Sequence, residues 1–177
     1  MIRYVTFLRG INVSGQKLIK MDELNRIMST LKLKEVKTFI QSGNVLFNSP
    51  ETNTEKLSQQ ITKKLKSELG YDVPVVIRTI DQLRLLIEQD PFKKIKEGDD
   101  IKLYVSFLPT TPLQKIKAPI LSPKKDVKIL SIHDGDICCL GLPLPNGTYG
   151  FPNLFIEKTF GMPATTRNWN TVNKVSL

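Results

Sequence analysis

Two cysteines and a single histidine among 177 residues leave little with which to build metal or thiol chemistry. Cys138 and Cys139 are adjacent in an apolar run. Neighbours on a strand point to opposite faces, so they are poorly placed to bond each other or to share a metal, and we read both as strand interior. His133, followed by Asp134 at the tip of an expected hairpin, has no second imidazole to join it and no serine or cysteine nucleophile tied to it. Paired carboxylates are missing as well: Asp99 and Asp100 adjoin one another in a polar stretch, where they solubilise rather than catalyse. These absences leave enzymatic activity uncertain, point to no catalytic residue and imply neither a metal nor a cofactor. The chain also lacks a basic N-terminal segment leading into an apolar one, and it has no uninterrupted apolar run of about 18 residues, so neither a signal peptide nor a membrane span is expected. The cytoplasm is the default location.

What is present is the composition of a globular protein, 40% hydrophobic and 24% charged. A chain of this mass buries about 70% of its surface on folding, enough for a core without disulfides. The charge is the outlier: 26 Lys+Arg against 17 Asp+Glu give a formal net charge of +9. Such a balance attracts phosphates and nucleic acid at long range. The excess is spread over both halves rather than gathered in a tail, which favours a solvated basic surface over a nucleic-acid footprint.

Periodicity sets the order of elements. A strand over 2–8 is followed by a helix over 21–32, whose apolar Leu24, Ile27, Met28 and Leu31 recur at helical spacing behind Asp22 and Glu23. Strands over 35–40 and 44–48 flank a Ser42-Gly43 turn, and a helix over 53–69, opened by a Thr52/Glu55 capping box and closed by Gly70, leads to a strand over 74–79. This is the ferredoxin-like βαββαβ unit. The fold class is therefore α+β, a ferredoxin-like lobe over 1–79 followed by a second, smaller α+β lobe over 80–177. There a Thr79/Gln82 capping box opens a helix to 88, a polar stretch over 93–100 reads as a linker, and a strand over 101–108 precedes a hairpin of 125–132 with 136–142. Helices over 153–160 and from Thr166 onward close the chain, the last with Trp169 and Val172 turned inward. The second half loosely repeats the first in topology, with no sequence identity to support a duplication.

Three polar segments stand apart from this core pattern: Leu8-Arg9-Gly10-Ile11-Asn12-Val13-Ser14-Gly15, Gln41-Ser42-Gly43-Asn44 and Thr165-Thr166-Arg167-Asn168-Trp169-Asn170-Thr171. Glycine, amide and guanidinium groups at loop tips suit an anion or a polar ligand, and a core needs none of them. The candidate ligand-binding residues are Arg9, Asn12, Lys17, Gln41, Asn44, Arg167 and Asn168. Gly10 and Gly15 have the glycine spacing of a P-loop, but Gln16 separates Gly15 from Lys17 and Leu18 stands where Ser or Thr is required, so the match to a Walker nucleotidase fails in detail, and what survives is a loop whose backbone N–H groups could cradle an anion. Tyr4 and Phe47 fall where RNA-binding sheets carry stacking rings, yet Asn44 and Leu46 break that platform, and core packing accounts for them better. In a split βαβ unit the 9–17 loop and the 41–44 turn share one end of the sheet. The third segment is expected to converge with them on a single anion site.

At these three segments the chain resembles the domain-of-unknown-function 1697 family, whose recurrent pattern is LRGINVGG, YIQSGNVVF and TTRNWNTV. Here Ser14 stands in place of a glycine and Phe39 in place of a tyrosine. The resemblance implies an α+β fold of ferredoxin-like lobes in a cytoplasmic bacterial setting, and it implies no activity. The leading expectation is a binding module for a phosphate-bearing partner, a small molecule or nucleic acid, with no membrane partner. The alternatives are an enzyme on a small anionic substrate and a scaffold for a protein partner.

Overall fold

The computed structural model describes residues 1–13, 15, 17–40, 43–96 and 99–177. The first lobe runs β1 (Ile2–Leu8), α1 (Met21–Ser29), β2 (Lys34–Phe39), β3 (Asn44–Ser49), α2 (Thr54–Leu69) and β4 (Val75–Thr79). Its four strands are antiparallel throughout, in the order β2-β3-β1-β4, as the split βαβ topology requires. Each helix must bury one apolar stripe. Leu24, Ile27 and Met28 of α1 and Leu57, Ile61 and Leu65 of α2 do so in one cluster with Tyr4, Leu8, Val45, Phe47 and Ile77, so both helices cover the same face.

Caps fix the helix ends. The α2 N-cap is Asn53, whose side chain accepts from the Lys56 N–H at 2.9 Å, and not the expected Thr52. The Glu51 carboxylate holds the Asn53 N–H at 3.0 Å, which delays the turn into the helix by one residue. Gly70 ends α2 in the left-handed region, φ 78°, where a side chain would be strained. Thr79 and Gln82 form the expected reciprocal box, at 2.8 and 3.0 Å, at the start of α3 (Ile80–Glu88).

The second lobe continues from α3 with β5 (Lys102–Phe107), β6 (Ile120–Leu121), β7 (Val127–His133), β8 (Asp136–Gly141), α4 (Asn153–Phe160), β9 (Thr165–Asn168) and α5 (Trp169–Val175). Its sheet has the order β6-β7-β8-β5-β9. Two compact units, Met1–Leu83 and Arg84–Leu177, divide within α3. The described part of the polar 93–100 stretch is a set of short turns inside the second unit, among them Lys93 N–H to the Asp90 carbonyl at 3.1 Å and Lys96 N–H to Asp99 Oδ2 at 3.0 Å.

Thr165–Asn168, expected to open a helix, is instead a strand paired with β5. Two β-branched threonines suit a pleated ladder better than a first helical turn, and β9 covers an edge that β5 would otherwise expose. The helix starts at Trp169, with Asn168 as its N-cap.

Without β6, the second sheet repeats the first strand for strand: β7-β8-β5-β9 matches β2-β3-β1-β4 in order and in antiparallel pairing, and α4 stands where α2 does. The counterpart of α1 is replaced by residues 108–126, which carry β6. The shared strand order aligns two similar stretches of sequence, Tyr4-Val5-Thr6-Phe7-Leu8 against Tyr104-Val105-Ser106-Phe107-Leu108. Even one backbone bond recurs, Leu8 N–H to the Gly43 carbonyl and Leu108 N–H to the Gly135 carbonyl, both at 2.8 Å.

Candidate functional site

The first two polar segments meet at one end of the first sheet, where Phe7 pairs with Asn44. Leu8 binds the turn through Gly43, and the Arg9 N–H donates to the Pro74 carbonyl at 2.9 Å, so the chain leaves β1 clamped on both sides. Gly43 has φ 73°, and a Cβ there would lie 2.6 Å from Ile11 Cδ1 and 2.9 Å from Leu8 Cβ. Ile11 itself is buried. The loop is thus pinned over the turn by one isoleucine and one glycine.

Several candidate side chains spend their donors on building this loop. Asn12, at φ 54°, bridges to the Ile19 backbone in both directions: its Nδ2 donates to the Ile19 carbonyl at 3.0 Å and its Oδ1 accepts from the Ile19 N–H at 2.9 Å. Lys17 Nζ donates to the Asp72 carbonyl at 3.0 Å and lies 5.2 Å from the centre of the Tyr71 ring. Asn44, fully buried, closes the hairpin through Nδ2 to the Phe39 carbonyl at 3.0 Å. Arg9 is half-buried at the exit of β1. Gln41 lies outside the described residues.

The outer side of the loop is different. Gly10 (φ 70°) and Gly15 (φ 74°) are left-handed and exposed, and a Cβ on either would meet no heavy atom within 4 Å. Glycine is used there for its backbone conformation alone. Among the described residues the N–H groups of Gly10 and Ile11 have no hydrogen-bond acceptor.

Arg167 and Asn168 belong to the second unit. Arg167 sits on β9 opposite Val105 and donates from its guanidinium to the Thr166 carbonyl at 3.0 Å. Burial lowers its pKa to about 10, which leaves it a cation at neutral pH. Asn168 uses its side-chain oxygen to cap Asn170 N–H at 2.9 Å. Thr166 joins a buried hydroxyl chain, Ser106 Oγ to Thr166 Oγ1 at 2.6 Å and Thr166 Oγ1 to Asn153 Oδ1. Trp169 packs edge-on against Phe92, ring centres 5.0 Å apart.

The remaining chemistry-bearing groups are accounted for by packing. Both thiols are fully buried, and burial pushes the Cys138 thiol up to about 12 and Cys139 upward too, so neither supplies a thiolate. His133 Nε2 lies 2.9 Å from Ser131 Oγ. No group of three His, Cys, Asp or Glu able to hold a metal occurs among the described residues, and no helix among them is long and apolar enough to cross a membrane. Tyr4 and Phe47 stack at 5.5 Å on the helix-covered face, where no base reaches them. Of the lysines on α2, Lys64 pairs with Glu68 and Lys66 with Asp72.

Two features are not legible in the sequence. One is the Ser106–Thr166–Asn153 chain, whose members are far apart in sequence. The other is a cavity of the second unit bordered by residues 122–127 and 151–159, foreshadowed only by the run Phe151, Leu154, Phe155 and Lys158.

The whole architecture is similar to that of the conserved bacterial protein SP0830 from Streptococcus pneumoniae, with a TM-score of 0.70 over 99% of this chain and 97% of that one. At 18% identity the likeness is one of fold. No curated protein matches the chain. The sequence itself is more specific: residues 1–137, which include the interlocked loop and hairpin, match the family described as protein of unknown function DUF1697, and the chain belongs to that family.

Proposed function

We propose that the chain is a binding module for a phosphate-bearing ligand, held at the loop end of the first unit by Arg9 and the 9–17 backbone. The observation that carries this reading is the conformation of the loop. Gly10, Asn12, Gly15 and Lys17 are all left-handed, at φ 70°, 54°, 74° and 47°. A left-handed residue beside a right-handed one turns successive backbone N–H groups toward a common point, an arrangement that receives anions without side-chain donors. The inward bonds of Asn12 and Lys17 hold that backbone in place before any ligand arrives, which lowers the cost of binding. Asn12, Lys17 and Asn44 therefore act by shaping the loop, with Arg9 the charged contact and Gln41 a further donor from the turn. Arg167 and Asn168 are retained as candidates in the second unit. The net charge of +9 draws anions toward the molecule. Nucleic acid is the less favoured partner, because the pairing of Lys64 and Lys66 leaves α2 short of a continuous basic face.

A thermal-shift series with inorganic phosphate, nucleoside mono- and triphosphates and a sugar phosphate tests the reading. A ligand at about 100 times its Kd stabilises by roughly 2.7 kcal/mol, or about 5–10 °C in Tm for a chain of this length. Arg9→Ala is expected to abolish the shift. No shift with any of these anions overturns the proposal.

A further inference from the structure

We infer that the second unit carries a separate site for a small amphipathic carboxylate, in the cavity between the lead-in to β7 and helix α4. The cavity has a volume of about 410 Å³, within the range of roughly 300–1,000 Å³ typical of small-molecule sites. Its walls are apolar: Val127 and Phe155 from the core side, Leu154 and Phe151 from the open side. Leu154 and Phe151 are more than half exposed, 59% and 54%.

Phe151 is held in position from two directions. Its ring meets Tyr104 edge-on at 5.5 Å, and its neighbour Gly150 lies so tightly on Asp126 that a Cβ would run into the Asp126 carbonyl oxygen. A fixed aromatic face with one side open suits an apolar ligand body. The charge at the rim is complementary to an acid. Lys124 and Lys158 both border the cavity, and neither forms an ion pair among the described residues. The only carboxylate among the described lining residues, Asp126, is directed into its own turn, where Oδ1 accepts from Ser122 Oγ at 2.7 Å. Thr159 likewise donates inward, to the Phe155 carbonyl at 2.7 Å. What remains to greet a ligand is apolar surface and two ammonium groups.

The first unit has an equivalent cleft, which serves as the internal comparison. That larger cavity, about 650 Å³, lies between the lead-in to β2 and α2 and also has lysines at its rim. Its one described acid, Glu51, is taken up by the Asn53 N–H at 3.0 Å and by Lys56 Nζ at 2.5 Å, and of its rim lysines Lys64 is engaged by Glu68.

The experiment is a titration of the whole chain with octanoate and, in parallel, octanol, followed by amide and methyl NMR. Octanoate at millimolar concentration is expected to shift Val127, Leu154 and Phe155 selectively and to bind more tightly than octanol. Lys124→Gln with Lys158→Gln should weaken octanoate about three- to tenfold, the loss of two exposed charge contacts, and leave octanol unchanged. Leu154→Asp, at an exposed position that spares the core, should weaken both. Equal binding of acid and alcohol, shifts confined to the first-unit cleft or to the 9–17 loop, or no shifts at all would each overturn the inference. Retention of binding in Arg9→Ala separates this site from the phosphate site proposed above.

Discussion

The two units are built on the same four-stranded order, yet they differ in the segment that leaves the first strand of each sheet. After Leu8 twelve residues, Gly10, Asn12 and Gly15 among them, lead to α1; after Leu108 the chain runs through Pro109, Pro112, Pro119 and Pro123 and forms only the two-residue β6. Proline has no N–H to give and breaks a helix, so the second unit can offer neither a donor-rich loop nor a second covering helix at that place. Its sheet folds all the same, with Ile116, Ala118 and Ile120 packed on the cluster of Leu108, Ile129, Ile137, Ile156 and Phe160. The sheet and the helix before its last strand are thus the shared requirement. The donor loop is an addition of the first unit, and it makes that loop, rather than Pro109-Thr110, the candidate anion site.

If tight backbone contact distinguishes the units, glycine substitutions should grade accordingly. Gly150→Ala drives a Cβ into the Asp126 backbone of the second unit, which cannot yield without moving β7. A loss above about 4 kcal/mol or failure to fold is expected. Gly43→Ala in the first unit meets Ile11 Cδ1 at 2.6 Å, the movable end of a side chain, and adds a left-handed penalty at φ 73°. About 2–4 kcal/mol is expected. Gly10→Ala has nearly the same φ with open space around it, so about 1 kcal/mol should suffice. Urea unfolding of the three variants measures the order, and equal losses at Gly43 and Gly10 would show that packing over the turn contributes nothing.

Polar closure can be compared in the same way. Thr166→Val leaves Ser106 and Asn153 short of a buried partner in the second unit, and about 1–3 kcal/mol should be lost. Asn12→Ala removes both bonds to Ile19 at the surface of the first unit, a smaller loss of about 1 kcal/mol. The larger consequence of Asn12→Ala falls on binding, since the loop is no longer held. A full phosphate response in that variant would break the link between loop shape and ligand.

The units should also fail at opposite ends of the pH scale. In the second, burial raises both thiols, Cys138 to about 12. Unfolded cysteine ionises near 8.5, so the contribution is complete below that pH and falls by about 1.4 kcal/mol per pH unit for each thiol as pH rises toward the folded value. Cys138→Ala with Cys139→Ala should flatten the alkaline slope. In the first, hydrogen bonds from Lys56 and from Lys64 hold Glu51 and Glu68 below the usual carboxylate range. Their contribution is present above an unfolded pKa of about 4.3 and is lost as pH falls through the depressed folded values. Solvent reaches both ion pairs, so the acid effect should be the weakest of all, visible only as a shallower slope in Glu51→Gln with Glu68→Gln.

Local chemistry by itself determined the first lobe. Helical spacing of Leu24, Ile27 and Met28, alternation along β1, and caps at Gly70 and Thr79/Gln82 each act over a few residues, and the order of elements leaves few ways to pair them. The same locality made Arg9, Gly10 and Asn12 recognisable as a loop. Three matters were decided only by the tertiary structure. Thr165–Asn168 became a strand because β5 lacked an edge partner, and no short-range pattern carries that information. That Tyr4–Leu8 and Tyr104–Leu108, alike in sequence, occupy the same place in two sheets was settled only when both strands had neighbours in the same order. The third is the division of the polar residues into those that build and those that face outward. Asn12 and Asn44 read as candidate ligand contacts in sequence, and folding gives each an internal partner as well, the carbonyls of Ile19 and Phe39 at 3.0 Å.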